Sequence, residues 1–424
     1  MAKIKSFRGV TYNQDKIKDL TKVICPPYDI ISPLKQQYYH ELSPYNLIYM
    51  LLGKDVSGEN KYRRAARYFR EWQKNKVLIQ DNSPAIYFYS QQYTLRGEKR
   101  LRFGFIALLY LDSSIFGHEH TRLEPKGDRL KLLKAVKANL SPIFVLFSDR
   151  KRIIQSLHQR SIQDNKPLID ITDEEKVTHK VWRISAPEVL EKIQAEMQRV
   201  NIFIADGHHR YEVACAYRDA MKRKLGAITG EEDFNYILAY FTNVESKGLA
   251  ILPIHRLVKL GSRFDTNTLK LALSEYFDVE EIKEKTKFFF LIEKGGQTEH
   301  VLGMYKDKKY WLLRLKNVKI LDKMMTEKSR DYRSLDICIL NHIVLKKVLG
   351  LDLEDKEKVT FSPHREELIE AVDNDSSSIA LFLNPIKTEK IISVALNNEK
   401  MPPKTTYFYP KVLSGLVINK FEDS

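Results

Sequence analysis

The sequence predicts an α+β fold: mixed, largely antiparallel sheets with flanking helices. Three observations predict it. Strand patterns come in hairpin runs, as in AIYFYSQQYTL and RLRFGFIALLYLD around the turn RGEK. Other apolar runs alternate with amphipathic helices rather than in a strict βαβ series, which favours α+β over a doubly wound sheet. Only 17 Gly and 15 Pro occur in 424 residues, and no internal repeat is present, so the whole chain reads as folded.

The elements follow in order. KVICPPYDIISP (22–33) reads as a short strand and then a rigid loop, because Pro26 and Pro27 fix their own φ and hold the preceding residue extended. NKYRRAARYFREWQKNKVL carries Ala65, Phe69 and Trp72 at helical spacing. SPIFVLFSD is a strand over 143–147. SAPEVLEKIQAEMQRV is a helix with Ser185 as N-cap and Pro187 in the first turn; its inner face is Val189, Ile193, Met197 and Val200. NIFIA is a short strand that Asp206 and Gly207 stop, and the helix after it closes at Gly226.

FNYILAYFTNV and GLAILPIHRLV are strands around a turn at ESKG. From Gly261 the texture changes: a helix (TNTLKLALSEYF) and the strands KFFFLIE, HVLGMYK and KYWLLRLK. SLDICILNHIVLKKVLG is a buried-faced helix, and SIALFLN and IISVAL are strands. The domain reading is a main α+β catalytic region over 1–260, an inserted or second α+β module over 261–330, and a C-terminal helix-and-strand region over 331–424 packing back on the first.

No apolar run approaches the roughly 20 residues that span a bilayer. The start, MAKIKSFRGV, lacks the apolar stretch of a signal peptide. Three isolated cysteines, Cys25, Cys215 and Cys338, indicate neither a disulfide framework nor a cysteine zinc site. A cytoplasmic protein is expected. The net charge of +15 attracts nucleic acid, nucleotides or acidic metabolites, but the basic residues are scattered and also read as a lysine-rich solvated surface.

The segment richest in chemistry is Asp-Gly-His-His-Arg at 206–210. A strand turning through glycine into a helix presents the helix's first N–H groups and its partial positive charge to an anion. Gly207 lets a phosphate approach the backbone, Arg210 can grip its oxygens, and His208 or His209 can donate to it or move a proton. The plainer reading is that Asp206 is an N-cap on a polar surface.

GHEHTRLEPKGDRL places His118, Glu119 and His120 in alternation. Glu119 reads as a general base or a magnesium ligand, and Lys126 and Arg129 as further phosphate contacts; the alternative is a charged loop capped by Asp128. PPYDII presents Asp29 on a stiff loop. LPIHRLV offers His255, more simply a buried structural histidine. MPPKTTYFYPKVLSGL carries Lys404 and Lys411, read either as a phosphate contact or as a docked strand. Five of the eleven histidines fall in these segments, which argues for one composite pocket. No Walker or dinucleotide glycine fingerprint occurs.

PPYDII, YNLIYML, RFGFIALLYL, HEHT with DRLKLL and ANLSPIF, IADGHHRYEVACAYRD, LPIHRLV, LDICIL and MPPKTTYFYPKVLSGL stand in the order seen in domain-of-unknown-function family 1015, which the chain resembles over nearly its whole length. More distantly, the Asp-Gly-His-His-Arg turn resembles that of ParB/sulfiredoxin-like domains, a group that includes an ADP-dependent kinase of free serine. That resemblance implies a ParB/sulfiredoxin-like core, nucleotide phosphates held at 206–210, and a carboxylate base matched by neither motif, for which Glu119 and Asp29 are the candidates. Members of the resembled family tend to be encoded beside serine-biosynthesis enzymes, which implies phosphoserine metabolism.

Together these readings give an expected phosphotransferase acting between ATP or ADP and a small hydroxyl metabolite, serine or phosphoserine preferred, with Mg2+. Asp206, Gly207, His208, His209, Arg210, Lys126, Arg129 and Lys404 are its phosphate contacts, and Glu119, Asp29, His208 and His209 its catalytic candidates. The alternatives are a nucleic-acid-binding ParB-like protein or nuclease, and a phosphatase.

Overall fold

The computed structural model describes residues 2–112, 114–119, 123–163, 165–226, 228–260, 264–352 and 357–422. The chain divides into two units: 1–117, 121–250 and 410–424 form the first, and 118–120 and 251–409 the second. These units draw the divisions differently from the expected 1–260, 261–330 and 331–424.

In the first unit the strands are β1 (Ile4–Lys5), β2 (Ile86–Leu95), β3 (Glu98–Tyr110), β4 (Ile115–Phe116), β5 (Ile143–Phe147), β6 (Ile169–Thr172), β7 (Thr178–Ile184), β8 (Ile202–Asp206) and β9 (Tyr236–Asn243). They form one sheet in the order β4-β8-β5-β9-β3-β2-β7-β6, with β1 on β3. The pairings are antiparallel except β4 with β8 and β5 with β9. β2 and β3 form the expected hairpin, Tyr87 opposite Ile106 and Leu95 opposite Glu98. Its two turn residues, Arg96 and Gly97, both have positive φ (54° and 81°), the conformation that matches the twist of the flanking strands. Phe88, Phe105, Val145, Ile204 and Phe241 fill the core on this sheet, joined by Ile193 and Met197.

Four helices of the first unit matter for the site: α1 (Lys61–Lys74), α2 (Leu123–Val136), α3 (Pro187–Met197) and α4 (His208–Leu225). α1 is N-capped by Asn60, whose side chain accepts from the N–H groups of Tyr62 and Arg63. The N-cap of α3 is Ala186, not Ser185; the Ser185 hydroxyl accepts from Arg183 instead. The strand expected at the start of 22–33 is only an isolated bridge from Cys25 to Ser414, because Leu20–Lys22 is a 3₁₀ turn capped by Asp19.

The second unit is built on β10 (His255–Lys259), β11 (Phe277–Ile282), β12 (Val301–Lys306), β13 (Lys309–Leu315), β14 (Val359–Ser362) and β15 (Ser378–Phe382), a fully antiparallel sheet in the order β11-β13-β12-β15-β10-β14. Strands from both sides of 261–330 therefore complete the sheet of the expected module. The strand expected after ESKG breaks at Ile254 into Ala250–Pro253, which pairs with Thr406–Tyr409, and β10, which pairs with β14 and β15; β9 pairs with β3 and β5.

KFFFLIE lies in α5 (Lys285–Gly295), and IISVAL in α6 (Thr388–Leu396), where strands were expected. Phe288, Phe289 and Ile292 are buried while Phe290 is 60% exposed, and Ile391, Val394 and Ala395 are buried together. Those spacings are helical; a run of aromatic or branched residues outweighed them in the sequence reading.

Candidate functional site

β8 ends at Asp206 and α4 begins at His208, so Gly207 is the whole connection. Gly207 has φ +91°, in the left-handed region. A Cβ there would lie 2.9 Å from Ile143 Cγ2 and 3.0 Å from Arg210 Cζ. Only glycine turns the chain this way in this space. Gly207 is also the N-cap, and no side chain caps the helix. Asp206 is therefore not the N-cap of the plainer reading: its Oδ1 accepts from the Gly207 N–H at 2.9 Å. The first helical bond runs from the Tyr211 N–H to the Gly207 carbonyl. An 18-residue helix thus starts at a turn lined by backbone, an arrangement suited to an anion.

The Asp206 carboxylate sits among cations. Lys411 Nζ is 3.2 Å and Arg210 Nη2 3.9 Å from its Oδ2. Burial alone would raise its pKa; the Lys411 ammonium and the Arg210 guanidinium outweigh that and hold it well below the ordinary carboxylate range. Arg210 Nη1 also donates to the Pro142 carbonyl. Arg210 is thus fixed at the turn rather than extended into solvent. His208 is buried at the start of α4, its imidazole Cδ2 3.4 Å from where a Gly117 Cβ would be; His209 is half-buried.

The PPYD segment reaches the same place. Tyr28–Ile30 is a 3₁₀ turn, with Asp29 exposed. Arg129 Cζ lies 4.5 Å over the Tyr28 ring. Burial first, then the Asp29 charge, pushes the Tyr28 phenol up to about 12, against the opposing pull of Arg210 and Arg129. Arg129 itself is buried on α2, donating to the Leu51 carbonyl at 2.7 Å and pairing with Asp128. Lys126, one turn earlier, pairs with Glu212 of α4. Two clefts of the first unit open beside these groups. One, of about 320 Å³, is lined by Pro26, Ile30, Asp173, Glu174 and Lys411. The other, of about 260 Å³, is lined by Lys54, Lys61, Tyr62, Asp128 and Arg129.

Glu119 and Lys404 belong to the second unit. Glu119 Oε1 accepts from the Lys404 backbone N–H at 3.1 Å, and Glu119 bridges to Met401. Lys404 has φ +59°, its carbonyl accepts from the buried Arg256 at 2.9 Å, and its side chain is exposed. His118 and His255 are buried; His255 Nδ1 accepts from the Leu383 N–H at 3.1 Å. His120 lies outside the described residues. Among the described residues no three His, Cys, Asp or Glu side chains converge as metal ligands.

The first unit thus brings together Asp29, Arg129, Asp206, Gly207, His208 and Arg210. In the sequence, Lys411 belongs to a segment expected as a phosphate contact or a docked strand, not as a partner of Asp206. Its pairing with Asp206 has no local signal, since 205 residues separate the two. It is set by buried partners: Gln91 Nε2 donates to the Lys411 carbonyl at 2.9 Å, and Arg102, fully buried, donates to the Pro410 carbonyl.

A family model described as Protein of unknown function (DUF1015) matches residues 4–338. No curated protein matches the chain in sequence. Among solved structures the chain is similar to a free serine kinase mutant in complex with ADP, at 11% identity and TM-score 0.34, covering 72% of this chain and 87% of that one. It is similar to a conserved hypothetical protein from Pyrococcus furiosus, at 12% identity and TM-score 0.34, covering 72% and 92%. A third is SbnI with C-terminal truncation from Staphylococcus aureus, at 11% identity and TM-score 0.35, covering 73% and 85%. Likenesses of that size do not assign a site.

Proposed function

We propose that this chain, which belongs to the DUF1015 family of proteins of unknown function, moves a phosphoryl group between ATP or ADP and a small hydroxyl metabolite. Serine or phosphoserine is the preferred substrate; that preference follows the sequence resemblance to ParB/sulfiredoxin-like proteins. One observation carries the reading: the Gly207 turn opens α4 without a side-chain cap, amid Arg210, Lys411 and Arg129.

In this reading the nucleotide's phosphates lie over the Gly207 turn. Arg210 and one of His208 or His209 match the charge that grows on the transferred group. The hydroxyl attacks the terminal phosphorus, a new P–O bond forms as the bond to the nucleotide's bridging oxygen breaks, and the hydroxyl proton passes to a carboxylate. Asp29 takes that role, because it is exposed on a stiff turn of the same unit. Lys126 is paired with Glu212, and Arg129 with Asp128 and the Leu51 carbonyl, so both act on phosphate only at longer range. Magnesium bound to the nucleotide would neutralise phosphate charge.

The test is a product assay on the full chain with magnesium. ATP formed from ADP and phosphoserine, or the reverse, is the expected result. Asp29→Asn should lower kcat roughly 100-fold, as loss of a general base does, with Tm unchanged. Free phosphate without nucleotide dependence makes the protein a phosphatase. No turnover, together with salt-sensitive retention of random duplex, transfers the reading to nucleic-acid binding. Full turnover in both Arg210→Ala and His209→Ala defeats the site assignment.

A further inference from the structure

The second unit holds a cavity of about 310 Å³ that the proposed reaction leaves unused. Its apolar wall includes Ile254, Leu335, Ile337, Leu383 and Ile386. On its polar side stand His300, immediately before β12, and Asp336, the acid of the LDICIL motif. His300 Nδ1 is 2.8 Å from Asp336 Oδ1. A carboxylate in that place fixes the ring and its tautomer: Nδ1 carries the proton and donates, and Nε2 is left as an acceptor. Nε2 has no hydrogen-bond partner among the described residues, and the His300 side chain is 27% exposed.

The charges on the lining can be followed one by one. Asp336 accepts the hydrogen bond of the neutral His300, and Glu299 is paired with Arg314. Lys390 is matched by Asp331 at 2.6 Å. Lys387, exposed before α6, has no carboxylate partner among the described residues. Lys387 is therefore the cation of the lining without a carboxylate of its own among the described residues, and the free group of the oriented imidazole is an acceptor. A largely apolar pocket with a few fixed polar groups is the usual form of a small-molecule site.

We propose that this cavity binds a small hydroxylated organic anion: its carboxylate or phosphate ester meets Lys387, its hydroxyl donates to His300 Nε2, and its body lies on the Ile254, Leu335 and Ile386 wall. The site is independent of phosphoryl transfer at the Gly207 turn. Three probes test it on the full chain: 4-hydroxybenzoate, benzoate and 4-hydroxyphenyl phosphate, followed through the His300 imidazole resonances. A hydroxylated probe should shift them saturably, and the better of the two identifies the anionic group. Benzoate and the Lys387→Ala variant should each weaken binding about tenfold, the loss expected for one polar contact. Lys387 is exposed, so that variant keeps its fold; Asp29→Asn should leave affinity unchanged. No saturable shift with any probe, or equal affinity in Lys387→Ala, overturns the site, and equal affinity for benzoate overturns the role of His300.

Discussion

Asp206 shows how one side chain sets the character of the turn beside it. Its carboxylate would repel a phosphate if it stood unopposed, but Lys411 and Arg210 more than balance it. The pair with Lys411 is largely buried, the two side chains 18% and 10% exposed. Lys411→Met should therefore cost about 3 kcal/mol of stability in urea unfolding, because it takes from a buried carboxylate the nearer of its two paired cations and leaves Arg210 at 3.9 Å. A loss near zero would show that the turn is more open to water than this packing implies. His158 gives a second prediction. It is 5% exposed, stacked on Phe103 with ring centroids 5.0 Å apart, and burial lowers its pKa to about 4. As pH falls below about 6.5 the unfolded imidazole takes a proton and the folded one does not, so the unfolded state binds more protons and stability falls, by about 3 kcal/mol down to pH 4. His158→Phe should remove that part of the pH dependence between pH 7 and 4.5; identical slopes in the two proteins would contradict it.

At the scale of elements, the β8–Gly207–α4 connection was legible in its parts, and the structure decides between two readings of Asp206. The apolar run, the glycine and the closing Gly226 mark the strand, the turn and the helix end, because each is a local signal. The cap was not legible: Asp206 is equally placed to cap or to end the strand, and its buried partners decide for the strand. Gly207→Ala should lower stability by about 1–3 kcal/mol through the strained φ, with a clash on Ile143 besides. The same variant should lose nucleotide binding, read by calorimetry beside the thermal scan; unchanged Tm and affinity would remove the turn from the proposal. α5 and α6 are the other lesson. Their buried faces recur at helical spacing, but short branched and aromatic runs satisfy strand propensity as well, and only packing separates the two.

At the scale of the molecule, the chain leaves the first unit after residue 250 and returns at 410 to complete it. The returning segment is not an appendage. Leu413, Leu416, Val417 and Ile418 are all buried, Asn419 and Lys420 pair with Asn139 and Ala138, and Ile418 bridges to Val10. At about 1.5–3 kcal/mol per buried aliphatic side chain, deleting 410–424 removes as much as a whole domain's stability margin. The truncated chain should lose the cooperative thermal transition of the first unit; a transition kept at the full-length Tm would refute this. None of its helices among the described residues is long and apolar enough to cross a membrane.

The sequence by itself determined the α+β class, the β2–β3 hairpin, the family and the strand–glycine–helix connection at 206–210, because periodicity, turn residues and motif order are local properties. Tertiary structure alone decided that Lys411 neutralises Asp206, that Tyr28 and Arg129 stand at the same turn, and that His300 meets Asp336. Those residues are far apart along the chain, and no local pattern records which side chains a sheet and its returning segment will bring within a few ångströms of one another.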